Sequence, residues 1–219
     1  MNLKVIAFDL DGTLVEDRSS WKKIHRHFGV EELARNNMQL YESGKIDYEE
    51  FMRRDIALWP SELHLNDIEL LLSKFALNSQ ARVVTSEIKK MGYEIVIVSA
   101  GLDLLANKVA EALDLTIVLA NGLQTDFRGY LTGNGIFRVD LLRKDLALEN
   151  ALRSLGVSMR ECMAVGDSKY DTTFLQRAGF GVAVGKDPDL ATIASFVINE
   201  LSELIPCIGS IESKLQASS

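Results

Sequence analysis

Lys4-Val5-Ile6-Ala7-Phe8-Asp9-Leu10-Asp11-Gly12-Thr13-Leu14-Val15 is the stretch on which the fold turns. Its first half is a short continuous apolar run, the pattern of a strand buried on both faces of a parallel sheet, and it runs straight into two carboxylates. Side chains at i and i+2 of an extended segment point the same way, so Asp9 and Asp11 share one small site. Gly12 permits a tight turn, and Thr13 adds a hydroxyl and a backbone N–H. In an open α/β sheet, ligands gather at the carboxyl ends of strands, which is where this acid pair falls. Such a pair suits a divalent cation and an anionic substrate.

Beyond this strand, over residues 19–75, apolar residues recur at helical spacing with almost no β-branched clustering: Trp21-Ile24-Phe28, Leu33-Met38-Tyr41, Phe51-Ile56-Trp59 and Ile68-Leu71-Leu72-Phe75. The spacing predicts a small helical bundle with starts at Ser19 or Ser20, Asp47 and Asn66, and breaks at Gly29, Gly44 and Pro60. A helix over 79–91 then leads through Gly92 into a strand over 93–98. Helix and strand alternate from there: a helix over 102–113, a strand over 116–120, a Gly-rich antiparallel excursion over 122–137 and a helix over 140–155. Strands over 162–165 and 180–184 follow, with a helix over 172–178 between them. This is the pattern of an α/β fold, a parallel sheet with helices on both faces and a helical insertion after the first strand. The expected division is a core of 1–15 and 77–208, an inserted cap of 16–76 and a flexible tail over 209–219.

At 219 residues the chain is long enough to bury such a core and to carry the insertion. Its 24 basic and 31 acidic residues, a net charge of −7, leave no electrostatic footprint for nucleic acid. Cys162 lies in an apolar run and Cys207 near the C-terminus, so the two read as separate thiols in a reducing, cytoplasmic setting. The N-terminus enters a strand directly, without a charged leader and cleavage site. No apolar stretch approaches the roughly 20 residues of a membrane span, so neither secretion nor membrane insertion is expected. His25 and His27 diverge by roughly 200° on a helix and make a poor metal pair. Trp21, Trp59 and the nearby phenylalanines read as packing, and Glu31-Glu32 and Lys89-Lys90 as solvated faces.

Three further elements align with the acid pair. Ser99-Ala100-Gly101 follows a strand and offers a hydroxyl and glycine-opened N–H groups at a helix start. Lys144 brings a point positive charge at the start of a helix. Gly166-Asp167-Ser168-Lys169-Tyr170-Asp171 follows another strand and offers oxygen ligands for a hard cation. Each has a plain structural reading when taken alone. Asp9 or Asp11 caps a turn, Ser99 caps a helix, Lys144 is a solvated lysine, and Asp171 favours the positive end of its helix.

Taken in order, Asp9-x-Asp11-Gly12-Thr13, Ser99, Lys144 and Gly166-Asp167 with Asp171 resemble the four motifs of the haloacid dehalogenase-like (HAD) phosphatases, over residues 3–199. The resemblance implies a Rossmann-like core with a small helical cap. It also implies a Mg²⁺-dependent phosphomonoester hydrolase in which Asp9 is the nucleophile, forming an aspartyl phosphate, and Asp11 is the general acid and then base. Mg²⁺ would be held by the Asp9 carboxylate, the Asp11 backbone carbonyl and Asp167, with Asp171 in support. Ser99, Lys144 and backbone N–H groups around Leu10, Ala100 and Gly101 would grip the phosphoryl oxygens.

The helical block and the 122–137 excursion look like those of the phosphoserine phosphatase branch, which makes O-phosphoserine the leading small phosphorylated metabolite. The alternatives are another phosphometabolite, a phosphotransferase or mutase using the same aspartyl phosphate, or an idle binding protein on the same fold. In that branch a Glu after the first motif and an Arg in a later cap helix hold the amino acid. Here those places fall on Arg18 and Asp55, a charge reversal at both ends, with Glu16 and Asp17 flanking the first and Arg53 and Arg54 the second. Tyr170 stands where the branch usually has Asn.

Overall fold

The computed structural model describes residues 2–217. Strand β1 (Val5–Phe8) is followed by α1 (Ser20–Phe28), α2 (Glu31–Glu42), α3 (Tyr48–Ile56) and α4 (Leu65–Leu72), then by α5 (Ala81–Lys90). Next come β2 (Glu94–Leu102), α6 (Asp103–Leu113), the hairpin of β3 (Ile117–Thr125) and β4 (Leu131–Ile136), and α7 (Lys144–Ser154). The chain ends with β5 (Cys162–Gly166), α8 (Thr172–Arg177), β6 (Phe180–Val184), α9 (Pro188–Ile193), β7 (Phe196–Ile198) and α10 (Leu204–Ala217). The seven strands form one sheet in the order β4-β3-β2-β1-β5-β6-β7, parallel except for β4.

Strand register sets the position of the chemistry. All four residues of β1 are buried, so the strand sits at the sheet centre with helices covering both faces. Phe8 lies opposite Ile97 of β2 and Val165 of β5, so the residues that follow these three positions lie nearly level. Asp9, just past β1, Ser99, in the irregular end of β2, and Asp167, just past β5, are thereby delivered to one place.

The cap helices begin and end on local signals. Ser19 accepts the Lys22 N–H at the start of α1, and Gly29, at φ 69°, closes it. Asp47 accepts the Glu50 N–H at the start of α3. The chain leaves and re-enters the core side by side: the Glu16 N–H donates to the Ala76 carbonyl at 3.0 Å and the Asn78 N–H to the Leu14 carbonyl at 2.9 Å. The β3–β4 hairpin also reaches over to the cap, where the Leu65 and Leu131 N–H groups bond the Gly129 and Leu63 carbonyls.

Several expectations need correction. α4 starts at Leu65, not Asn66, because His64 caps it: its Nδ1 accepts the Asn66 N–H while Asp67 accepts the His64 N–H. β2 runs on through Ser99, Ala100 and Gly101 to Leu102, with a register shift after Val98, so these residues form an irregular strand end and α6 begins only at Asp103. Residues 140–143 are a turn held by Asp140, which accepts the Leu142 N–H, and α7 begins at Lys144. The expected tail is largely helical: residues 209–217 continue α10, and buried Ile208 and Ile211 seat it on the core at helical spacing. Residues 218–219 lie outside the described residues. α9, β7 and α10 are additions to the elements read from the sequence. Cys162 and Cys207 are both free thiols. Among the described residues, no helix is long and apolar enough to cross a membrane.

Candidate active site

Two carboxylates converge on one lysine, with a third beside them. The Asp9 N–H donates to the Val165 carbonyl at 2.8 Å, fixing the backbone just past β1. Lys144 Nζ donates to Asp9 Oδ1 at 2.6 Å and to Asp171 Oδ1 at 2.7 Å, with all three side chains buried. Asp171 spends its other oxygen on the Asp167 N–H, the Ser168 N–H and the Ser168 hydroxyl, which shapes the loop after β5. Asp167 Oδ1 accepts from the Thr13 hydroxyl at 3.2 Å. Carboxylate oxygens of Asp9, Asp167 and Asp171 lie within 4.8 Å of one another, an all-oxygen set that fits a hard divalent cation.

Glycine is required beside this cluster. Gly12 has φ 90°, and a Cβ there would stand 2.4 Å from Asp167 Oδ2.

The electrostatics follow from this crowding. Burial raises the Asp9 carboxyl well above its ordinary range, and Asp171 adds to the effect against the pull of Lys144. Burial and Asp171 push Asp167 up to about 6. Burial alone would lower Lys144, but Asp171 and Asp9 hold its pKa above the usual lysine range. Three acids around a single ammonium leave negative charge uncompensated, which is the condition a bound cation relieves.

Asp11 stands apart from the three. Its Oδ1 accepts the Ser20 N–H at 3.1 Å, and its Oδ2 lies 3.4 Å from the Ser99 hydroxyl. Burial pushes its carboxyl up to about 7, with Lys144, Ser20 and Ser99 pulling the other way. The Ser99 oxygen accepts the Gly101 N–H at 2.9 Å. The neighbouring Ala100 carbonyl takes three donors: Tyr48 OH at 2.7 Å, Asn121 Nδ2 at 3.0 Å and Trp21 Nε1 at 3.2 Å. Asn121 also donates to the Val139 carbonyl and accepts the N–H groups of Arg138 and Val139, so it ties the end of β2 to the segment leading to Lys144.

These groups open into one cavity of about 420 Å³ between the strand ends and the cap. Asp9, Asp11, Ser99, Ala100, Gly101 and Lys144 line its floor, while Arg18 and Asp55 line it from the cap. Leu10 is fully buried beneath, in the turn that carries the acid pair. Asp167 and Asp171 belong to the acid cluster. The other two candidates lie elsewhere: Glu16 is exposed and outside the cavity lining, and Arg53 pairs with Glu50 on the outer face of α3.

Glu42, at the end of α2, latches the cap over the cavity by accepting from Lys169 Nζ and Tyr170 OH, each at 2.8 Å. Tyr48, Asn121 and Glu42 escaped the sequence reading, and Ser20 was read there only as a helix start. Only Asn121 carried a signal, as a lone amide inside the apolar run 117–123.

Relatives carry the same architecture. The family model of the haloacid dehalogenase-like hydrolases matches residues 3–179. A phosphoserine phosphatase of Methanocaldococcus jannaschii is 29% identical over 210 residues, covering 94% of this chain and 97% of that protein. A probable phosphoserine phosphatase of Schizosaccharomyces pombe is 30% identical over 199 residues, 90% of this chain but 66% of the longer relative. Among solved structures, a phospho-aspartyl intermediate analogue of phosphoserine phosphatase superposes with a TM-score of 0.78 at 29% identity, covering 94% of this chain and 99% of that one. On its sequence, its sheet and the acids at its strand ends, this chain belongs to the haloacid dehalogenase-like hydrolase family.

Proposed function

We propose that the chain is a Mg²⁺-dependent phosphomonoester hydrolase acting through an aspartyl phosphate on a small phosphorylated metabolite, O-phosphoserine before others. The observation that carries this reading is the pair of acids from one strand end, Asp9 bound to Lys144 and Asp11 to Ser20, facing the same cavity in different electrostatic settings. The phosphoserine phosphatases among its relatives support the choice of substrate.

In this mechanism an Asp9 carboxylate oxygen attacks phosphorus, the bond from phosphorus to the ester oxygen breaks, and Asp11 gives its proton to the departing alkoxide. A carboxyl that titrates at about 7 holds that proton in part of the population near neutrality and can take one back. Asp11, now ionised, removes a proton from the water that attacks the aspartyl phosphate, which releases phosphate and restores Asp9. Lys144 and the Ser99 hydroxyl grip the phosphoryl oxygens, with N–H groups around Leu10, Ala100 and Gly101 as further donors. Asp9, Asp167 and the Asp11 backbone carbonyl would hold Mg²⁺, and Asp171 orients Lys144 and the loop beside it. When bound, Mg²⁺ neutralises charge between carboxylates and phosphate.

The division into a core of 1–15 and 77–208 and a cap of 16–76 belongs to this reading, supported by the paired crossings at Leu14–Asn78 and Glu16–Ala76. Two free thiols support a reducing, cytoplasmic setting. The test is phosphate release from O-phosphoserine, phosphothreonine, sugar phosphates and nucleoside monophosphates, with and without Mg²⁺. Release that needs both Mg²⁺ and Asp9 is expected, and phosphoserine should be turned over best. No Asp9-dependent release from any ester would overturn the reading.

A further inference from the structure

At the cap end of the cavity sits an acid with no cation. Asp55, on α3, is 1% exposed, and its Oδ1 accepts from Asn37 Nδ2 at 2.8 Å. Among the described residues no hydrogen bond is made to its Oδ2; the group facing it is His25 Nε2 at 3.3 Å, outside hydrogen-bonding geometry. That imidazole nitrogen, on a side chain 5% exposed, is itself without a partner. On the wall of one cavity the buried His25 Nε2 and Asp55 Oδ2 therefore face each other without a hydrogen bond between them. Trp21 and Phe51 line the same space.

What fills such a place can be deduced from donors and charge. Burial holds His25 down to about 4, so near neutral pH its ring is uncharged and cannot neutralise Asp55. Burial pushes the Asp55 carboxyl up to about 7. A hydroxyl can donate to Asp55 Oδ2 and accept from His25 Nε2–H, but it brings no charge and leaves that of the carboxylate unmet. A primary ammonium has three hydrogens and a positive charge. It can serve both atoms at once and lie against the faces of Trp21 and Phe51. Arg18 and Arg35, both exposed, also line the cavity and offer positive charge to the anionic groups of a zwitterion.

We infer that Asp55, aided by His25 and Asn37, is the specificity residue that binds a primary ammonium, so the site takes phosphate esters of amino compounds. This deepens the phosphatase reading and rests on it. It departs from the resemblance, which implies an arginine at this place and hence an anion.

The experiment separates binding from turnover. Asp9→Asn protein is titrated by calorimetry with O-phosphoserine and phosphoethanolamine, and with their hydroxy counterparts, phosphoglycerate and hydroxyethyl phosphate. The amino esters should bind about tenfold to a hundredfold more tightly than the hydroxy esters, the range for a hydrogen-bonded charge. In Asp9→Asn/Asp55→Asn protein that preference should vanish. Equal affinities while Asp55 is intact would overturn the inference without any reliance on the second variant. So would a preference that survives Asp55→Asn, or failure of all four esters to bind. If the unaltered protein releases no phosphate from any ester while the Asp55-dependent preference stands, the phosphatase reading fails and the ammonium site remains.

Discussion

The floor and the roof of the cavity use the same residue type in opposite ways. On the floor, Asp9 and Asp171, from the segments after β1 and β5, are locked onto Lys144 at the start of α7. On the roof, Asp55 has one amide donor and no cation, and the groups around it come from three separate helices. The floor is organised before any ligand arrives, as phosphoryl transfer requires of groups that must meet a transition state already in position. The roof is left electrostatically unfinished, so a substrate completes it. Chemistry is thus built into the sheet, and choice of substrate into the packing of helices.

Five substitutions and one titration test that contrast. The largest effect belongs to Asp9→Asn, which should lower kcat by about 10⁴-fold or more in a phosphate-release assay while leaving the circular dichroism spectrum intact. Activity within tenfold of the original would move the nucleophile off the floor.

Next is Lys144→Met, which strands two buried carboxylates and should cost about 3–5 kcal/mol in urea unfolding. Asp55→Asn should differ sharply, changing stability by no more than about 1 kcal/mol, because a buried charge is removed and the Asn37 amide keeps an acceptor. Equal losses in the two variants would erase the distinction between floor and roof.

Asn121→Leu comes third. It leaves the Val139 carbonyl and the Arg138 and Val139 N–H groups unpaired, an expected loss of about 2–3 kcal/mol together with a lower kcat, read from unfolding and steady-state kinetics.

The titration concerns the metal. Burial and Asp171 push the Asp167 carboxyl up to about 6, above the ordinary carboxylate value, so below that pH protons would compete with the proposed Mg²⁺ for its oxygens. The raised acids help the metal-free fold at low pH, and that contribution is lost as pH rises through about 6 for Asp167 and about 7 for Asp11. The rise in melting temperature on adding Mg²⁺ should therefore be largest above pH 7 and fade below pH 6. An equal rise at pH 5 and pH 8 would place the ion elsewhere.

Smallest is Glu42→Gln, at the exposed latch, where about 0.2–1 kcal/mol of stability and a modest change in KM are expected from unfolding and kinetic assays. A large fall in kcat would show that the latch governs more than closure.

What was legible in the sequence follows the same division. Asp9, Asp11, Ser99, Lys144, Asp167 and Asp171 stand close to strand ends or helix starts, so a local pattern and the rule for parallel sheets suffice to bring them near one another. The partners on the roof are joined only by packing: Asn37 reaches Asp55 across a helix break, and His25 comes from a third helix. No periodicity reports which of two neighbouring helical residues turns inward, so Arg18 and Asp55 were readable as positions and not as surfaces. Asn121 was hidden for another reason, since its four partners lie in two other segments of the chain. Short terminal elements such as the three-residue β7 carry too little pattern to announce themselves.

The Ala100 carbonyl has a consequence for timing. Two of its three donors, Trp21 and Tyr48, belong to the cap, and the third, Asn121, belongs to the sheet. A cap that lifts takes two of those bonds with it and frees the strand end that carries Ser99. In the proposed mechanism the grip on the phosphoryl oxygens would therefore be tightest while the door is shut and would slacken as it opens, so a single motion would both admit water and loosen the hold on the departing phosphate.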